Sequence, residues 1–379
     1  MPFSRTRLHE SVIRTLDDAK AAHAALGAAF PHRRTEEALA LLQPPDHYDI
    51  PLTTISRNTS FDSYVQVCVR GAPTQPMNLV VDTGNSCPIL PSWATIAAIP
   101  NWQANYTVLN EDTPEPWNAP AKLVMGPLEL TAADGSVFAM EDCIFYACTG
   151  NAPGETEPTA NFGAGCLTRY MDAEGWTLKP AQTYNPAFPY AEFDFAPDHA
   201  VLSLSAALRI ETSSTLRISK APPLGYDMFE IIPDTWWMAL TPRALSVGAT
   251  KTAWPNVARK PIAMIDTGGT CAFLSDPDGY VYNADWPNPA QNPCWTMDSI
   301  CCQSTSQAIT LELGDAVSNF TYTVDTSTLP TPVQGLTLVM CKTNSFMMGQ
   351  YGLNIGGVSA LAIGILIDYQ NNRVGLKLK

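Results

Sequence analysis

The sequence predicts an all-β chain of two similar lobes with a helical extension at its N-terminus. Three observations carry this. Short apolar runs recur between turn residues, and 379 residues include 32 Pro but only 15% charged side chains, a profile of strands and tight turns. One apolar frame occurs twice, as Asn78-Leu-Val-Val-Asp82-Thr83-Gly84-Asn85-Ser86-Cys87 and as Pro261-Ile-Ala-Met-Ile-Asp266-Thr267-Gly268-Gly269-Thr270-Cys271. The length also exceeds what one core usually supports, so two bodies are expected.

Composition narrows the function classes. A net charge of −14 and a pI near 4.7 argue against a nucleic-acid partner, because nothing would neutralise phosphates. No 18-residue apolar span exists, so no membrane-crossing helix is expected. Five scattered His and no Cys-x-x-Cys give no metal site, and no cofactor is expected. The acidic balance fits either stability in acid or plain solubility.

Residues 1–45 are a segment of different character. Charges scattered from Arg5 to Lys20 leave no apolar stretch like that of a secretory signal. At face value the protein is cytoplasmic, with its ten Cys mostly reduced. A mis-set start would make it secreted or vacuolar, and the sequons at Asn58, Asn105 and Asn319 would suit that. Two amphipathic helical patterns, Arg7 to Leu26 and Thr35 to Leu42, are joined at Pro31-His-Arg33-Arg34 and closed by Pro44-Pro45. With six Lys and Arg against five Asp and Glu, this segment either lies across a carboxylate-lined cleft or packs elsewhere.

A first β lobe is read over residues 46–228. Tyr64–Val69 alternates, 71–76 turns, and Met77–Val81 runs into Asp82. Tyr106–Leu109 and Lys122–Met125 then form a hairpin whose tip, residues 110–120, holds three Pro and Trp117. Ile144–Tyr146, Asn161-Phe162-Gly163-Ala164, Glu192–Phe195 and Val201–Leu204 continue the strands. A second lobe, 229–379, repeats the plan. It opens at Asp234-Thr-Trp236-Trp237, runs into Asp266, and continues through Ile309–Leu313, Phe320–Val324 and Asn354-Ile355-Gly356-Gly357. Asn161-Phe-Gly and Asn354-Ile-Gly thus hold corresponding places. Gly364–Asp368, an Asn371-Asn372 turn and Arg373–Leu376 close the chain.

A carboxylate at the end of a buried strand is costly to desolvate without partners. Two in matching frames point to a pair. Two carboxyls within hydrogen-bond reach do not both ionise readily, so such a pair holds one proton over a wide pH range.

From about Ile50 to Lys379 these residues resemble the pepsin-like aspartic proteases. The likeness rests on the two Asp-Thr-Gly triplets, on Phe162-Gly163 and Ile355-Gly356, on Trp237-Met-Ala-Leu-Thr opening the second half, and on the Asn372-Arg-Val-Gly-Leu ending. It implies a bilobal acid-protease fold with lobes related by a pseudo-twofold axis, acting as a monomer without cofactor. A peptide or small-molecule substrate would lie in the interlobe cleft. Residues 1–45 have the place and length of the family's prosegment. Asp82 and Asp266 become joint acid and base, one activating a shared water and the other stabilising the developing oxyanion. Thr83 and Thr267 would brace the two loops across the axis, and Gly84 and Gly268 would permit the tight backbone. Many relatives carry a second-lobe disulfide, which here would join Cys301 or Cys302 to Cys341. Cys143 with Cys148 would close a short loop, and Cys87 and Cys271 read as core.

The departures matter as much. Members usually carry a hydroxyl just after each Gly, donating to the outer carboxylate oxygen; here those places hold Asn85 and Gly269. Asn85 can still donate, whereas Gly269 leaves Asp266 dependent on Thr270 or water. The family's flap Tyr bonds a Trp seven residues beyond the first Asp, a flap and substrate-cleft position held here by Ile89. No Tyr-Gly pair lies in the hairpin, and Trp117 at its tip is either a replacement over the cleft or a packing anchor. Two functions therefore stand: an aspartic endopeptidase with an inhibitory N-terminal segment, or a pepsin-fold protein that binds a ligand or inhibitor or does acid–base chemistry on a small molecule.

Overall fold

The computed structural model describes residues 45–57, 60–85, 87–116, 118–157, 159–165, 168–172, 175–179, 185–195, 208–210, 214–232, 238–247, 250–253, 262–269, 272–275, 295–297, 300–305, 309–314, 319–324, 338–343, 352–356 and 363–378. The helical patterns expected between Arg7 and Leu42, the Val201–Leu204 run and Asp234–Trp237 lie outside them. Residues His47–Lys379 make one compact unit and Met1–Asp46 another, of which Pro45 and Asp46 are described.

Strands dominate the described residues. The exceptions are a helix at Trp93–Ala97, whose N-cap Ser92 Oγ accepts the Ala94 N–H at 3.1 Å, and a 3-10 turn at Trp102–Ala104. Among the described residues no helix is long and apolar enough to cross a membrane.

In the first half a sheet closes on itself. Its order is Ser60–Val69, Met77–Asp82, Asn161–Gly163, Ile89–Leu90, Val137–Cys148 and Pro120–Thr131, the last pairing back to the first through Val67 opposite Leu130. Closure removes exposed edges. Burial along Met77–Asp82 follows the period of two, with Met77, Leu79 and Val81 buried and Asn78 exposed. Each fully buried Leu or Val contributes about 1.5–3 kcal/mol. Asp82 breaks the alternation by being buried next to Val81, so it must find polar partners.

Two expectations are corrected here. The hairpin strands run much further than Tyr106–Leu109 and Lys122–Met125, spanning Thr107–Pro114 and Pro120–Thr131 and leaving a tip of residues 115–119. Thr107–Pro114 is the outermost strand of its sheet, where a polar run and a Pro lose no ladder bond. Cys143 and Cys148 do not close a loop, because both lie on the extended Val137–Cys148 strand and are not joined to each other. Five residues of strand span about 16 Å, far beyond disulfide reach.

A second region of this sheet joins the first described strand to the last. Asp227–Glu230, Arg373–Leu378, Ile363–Asp368, Tyr190–Asp194, Thr215–Ser219 and His47–Arg57 are neighbours in that order. All six residues of Ile363–Asp368 are buried, and Tyr369 adds a hydrogen bond of 2.9 Å from its hydroxyl to Ala164 O. In the second half, seven strands include Ile262–Ile265, Gly352–Ile355, Ala272–Ser275 and Leu338–Thr343 as successive neighbours, and four more form a separate sheet. The register there sets Cys302 opposite Cys341.

The sequence repeat is also a repeat of pairing. Met77–Asp82 runs parallel to Asn161–Gly163, with Val80 opposite Asn161 and Asp82 opposite Gly163. Ile262–Ile265 runs parallel to Gly352–Ile355, with Met264 opposite Asn354. In each half the Asn-x-Gly strand is then flanked, antiparallel, by the strand that follows the Asp turn. That strand in turn pairs parallel to the next.

Candidate active site

Each Asp stands where its strand turns out of the sheet, and the turn that follows is tied to its counterpart. Thr83 N–H donates to Thr267 Oγ1 at 3.1 Å, and Thr267 N–H donates to Thr83 Oγ1 at 3.1 Å. Each hydroxyl donates onward, Thr83 to Ile265 O and Thr267 to Val81 O, both at 2.8 Å. Both Thr are buried. A hydroxyl that accepts one bond and gives another uses its donor and one lone pair, so Val, its apolar isostere, would leave two buried main-chain groups unsatisfied.

This lock puts the carboxyls together. Asp82 is 5% and Asp266 9% exposed, and each carboxyl lies within hydrogen-bonding reach of the other. Each following glycine packs against the opposite acid: a Cβ on Gly84 would lie 2.6 Å from Asp266 Cγ, and one on Gly268 would lie 2.4 Å from Asp82 Cγ. Neither glycine is among those with positive φ. They are required because any side chain would displace a carboxyl, not for the backbone freedom that the sequence suggested.

Each acid accepts main-chain N–H groups of its own turn. Asp82 Oδ1 accepts the Gly84 N–H at 2.8 Å, and its Oδ2 accepts Asn161 Nδ2 at 2.6 Å. Asp266 Oδ1 accepts both the Gly268 and Gly269 N–H groups at 3.1 Å. Burial first, then the Asp266 charge, push the Asp82 carboxyl well above the usual carboxylate range, while the bonds from Asn161 and Gly84 oppose that rise.

Asn85 does not take the role expected of it. Its amide donates to Cys87 O at 3.1 Å and, at the limit of a hydrogen bond, to Asn161 Oδ1 at 3.4 Å, and its own oxygen accepts the Cys87 N–H at 3.3 Å. The side-chain donor to Asp82 is Asn161, from the neighbouring parallel strand. The sequence signal was present, since Asn161-Phe-Gly matches Asn354-Ile-Gly, but only the register reveals that Asn161 faces Asp82. Gly269, which lacks a side chain, supports Asp266 with its backbone N–H instead.

The remaining sequence candidates separate from the pair. Ile89 is not a cleft wall: it is fully buried in a small cluster with Cys87, Ala121, Leu123 and Tyr146, held there because it pairs with Tyr146 and Asn161 on its two sides. Trp117, Thr270 and Cys271 lie outside the described residues. Cys87 is buried core, its thiol donating to Ile144 O at 3.1 Å, and burial raises that thiol's pKa well above its ordinary value. The hairpin tip next to Trp117 is closed by Glu115, itself fully buried, whose carboxylate accepts the Ala119 N–H at 2.7 Å. Among the described residues no group of three or more His, Cys, Asp or Glu converges as metal ligands would.

No protein-family model matches the chain. No curated protein sequence matches it either. The site's chemistry therefore has to be argued from its own geometry. A buried pair of carboxyls within reach of each other, one with its proton affinity raised, can withdraw a proton from water with one member while the other donates.

Proposed function

We propose that this chain is an aspartic-type endopeptidase of bilobal, pepsin-like architecture, in which Asp82 and Asp266 work as one acid–base unit. The observation that carries the reading is the reciprocal Thr83–Thr267 lock, which brings the carboxyls of two repeated motifs within hydrogen-bonding reach of each other. The ionised member takes a proton from a water placed between the carboxyls, and the oxygen attacks the amide carbon. The protonated member donates to the carbonyl oxygen as negative charge develops there. Collapse of the tetrahedral intermediate then expels the amine, which leaves with a proton from the pair.

The test is incubation of the full chain with an unfolded protein substrate from pH 3 to 7. Peptide release that pepstatin inhibits is expected at the acid end, with a shortened chain beginning near residues 44–50. A protein inert across that range, with and without its first 45 residues, would remove the proposal.

One observation favours a second reading, a pepsin-fold protein that binds a ligand or inhibitor or does acid–base work on a small molecule. Ile89, buried, stands where the resembled family bonds its flap. On that reading residues 1–45 are retained in the working protein and pepstatin does not bind it.

A further inference from the structure

We infer that Asn161 is a positioning residue of the acid pair: its amide clamps Oδ2 of Asp82 and keeps that carboxyl an acceptor before any substrate arrives. The inference rests on reading the pair as a working acid–base unit, but its main test does not need catalysis.

The geometry is specific. Asn161 is 5% exposed, and its Nδ2 reaches Asp82 Oδ2 at 2.6 Å while the Gly84 N–H holds Oδ1 at 2.8 Å. Both oxygens of Asp82 thus face N–H donors, which fixes the carboxyl plane and favours the charged form. The position of Asn161 follows from its strand, since Val80 pairs with Asn161 and Asp82 with Gly163. An amide beside a carboxylate must present its NH₂ and turn its oxygen away, and Asn161 Oδ1 indeed faces Asn85 Nδ2. At Asp266 the two N–H bonds from Gly268 and Gly269 converge on one oxygen.

Asp266 is the charged group that acts most strongly on Asp82. Cys87, the nearest other titratable side chain along the turn, directs its thiol to Ile144 O. Burial and Asp266 raise the Asp82 pKa; Asn161 and Gly84 lower it. A carboxyl whose folded-state pKa is raised adds stability that is complete below the unfolded value and is lost as pH rises through the folded value. Removing the amide lifts the folded value further, so the loss must become larger and reach higher pH.

Thermal unfolding of the full chain between pH 3 and 8 tests this on wild type, Asn161→Leu, Asn161→Asp and Asp82→Asn. The fall in unfolding temperature with rising pH is expected to be largest for Asn161→Leu, its upper midpoint moving up by about one pH unit, as losing a hydrogen bond to a charged group implies. Asp82→Asn is expected to flatten the curve. Asn161→Asp keeps the shape of the residue: protonated at acid pH it donates an O–H to Asp82, and above its own titration it adds a second negative charge. It should therefore track wild type in acid and fall away steeply above. Curves for Asn161→Leu and Asn161→Asp that run parallel to wild type would overturn the inference. If Asn161→Leu does not fold, Asn161→Asp decides alone. Divergent curves in a protein that cleaves no peptide would keep Asn161 in its role and remove the endopeptidase reading; parallel curves with pepstatin-sensitive cleavage would do the reverse.

Discussion

The Asp82 turn and the Asp266 turn have the same main-chain plan and differ in the burial of the strands that lead into them. Their Thr bonds match in pairs, 3.1 Å against 3.1 Å and 2.8 Å against 2.8 Å. Each glycine lies against the other acid, and each Asp strand is parallel to an Asn-x-Gly strand. Among the described bonds, Asp82 accepts a buried amide and one N–H, and Asp266 accepts two N–H groups. The strands beneath diverge, since Met77–Asp82 alternates whereas all four residues of Ile262–Ile265 are buried. The position of the acids is therefore set by devices that both halves share. The proton affinity of Asp82 is set by its burial and by Asp266, which raise it, and by the Asn161 and Gly84 donors, which oppose the rise.

The most severe way to break this comparison is to remove one acid at a time. On the proposed reading Asp82→Asn and Asp266→Asn each lower peptide hydrolysis by at least about 10³-fold, because a pair that acts as a unit loses its function with either member. Steady-state cleavage of an unfolded protein checks this, and a variant retaining near-wild-type turnover would show that the acids are not one unit. Next comes the shared frame. Thr83→Val and Thr267→Val each delete two hydrogen bonds and strand two buried main-chain groups, a loss of about 2–4 kcal/mol. Urea unfolding is expected to give the two variants similar losses, with the double variant well short of their sum, since both residues belong to one network. Clearly unequal or additive losses would mean that the lock is not reciprocal in energy.

Much of this site was legible in the residues because it is local. An apolar run that enters Asp-Thr-Gly states its own strand, turn and buried acid, and the second copy identifies the partner. What was illegible depends on pairing between distant segments. Asn161 was visible as half of a repeated Asn-x-Gly motif, but its role comes from a parallel register with Met77–Asp82, so Asn85, adjacent in sequence, was credited instead. Gly84 and Gly268 were expected for a reason within their own turns, whereas the cause is a carboxyl from the other half of the chain. Ile89 read as a cleft position because its burial is decided by Tyr146, more than fifty residues on. The hairpin was underestimated because Asn110-Glu-Asp-Thr-Pro114 has no strand pattern, and an edge strand does not require one.

The smallest expected effect sharpens the comparison most finely, because it separates Asn85 from Asn161. Asn85 Oδ1 and Nδ2 both engage the Cys87 backbone, at 3.3 and 3.1 Å, and its reach to Asn161 is 3.4 Å. Asn161 is held by its strand and by its own 2.6 Å bond to Asp82, so it does not need Asn85 to stay in place. Asn85→Ala is therefore expected to cost about 1 kcal/mol through the loosened 85–87 turn, lowering the urea midpoint while leaving the pH dependence of unfolding where it is in wild type. The two variants would then differ in kind, Asn161→Leu moving the pH profile and Asn85→Ala moving stability alone. Should Asn85→Ala shift the profile as far as Asn161→Leu, the amide would be oriented from the turn and not from the strand. Asn85 would then regain, through Asn161, the supporting role that its place after Gly84 first suggested.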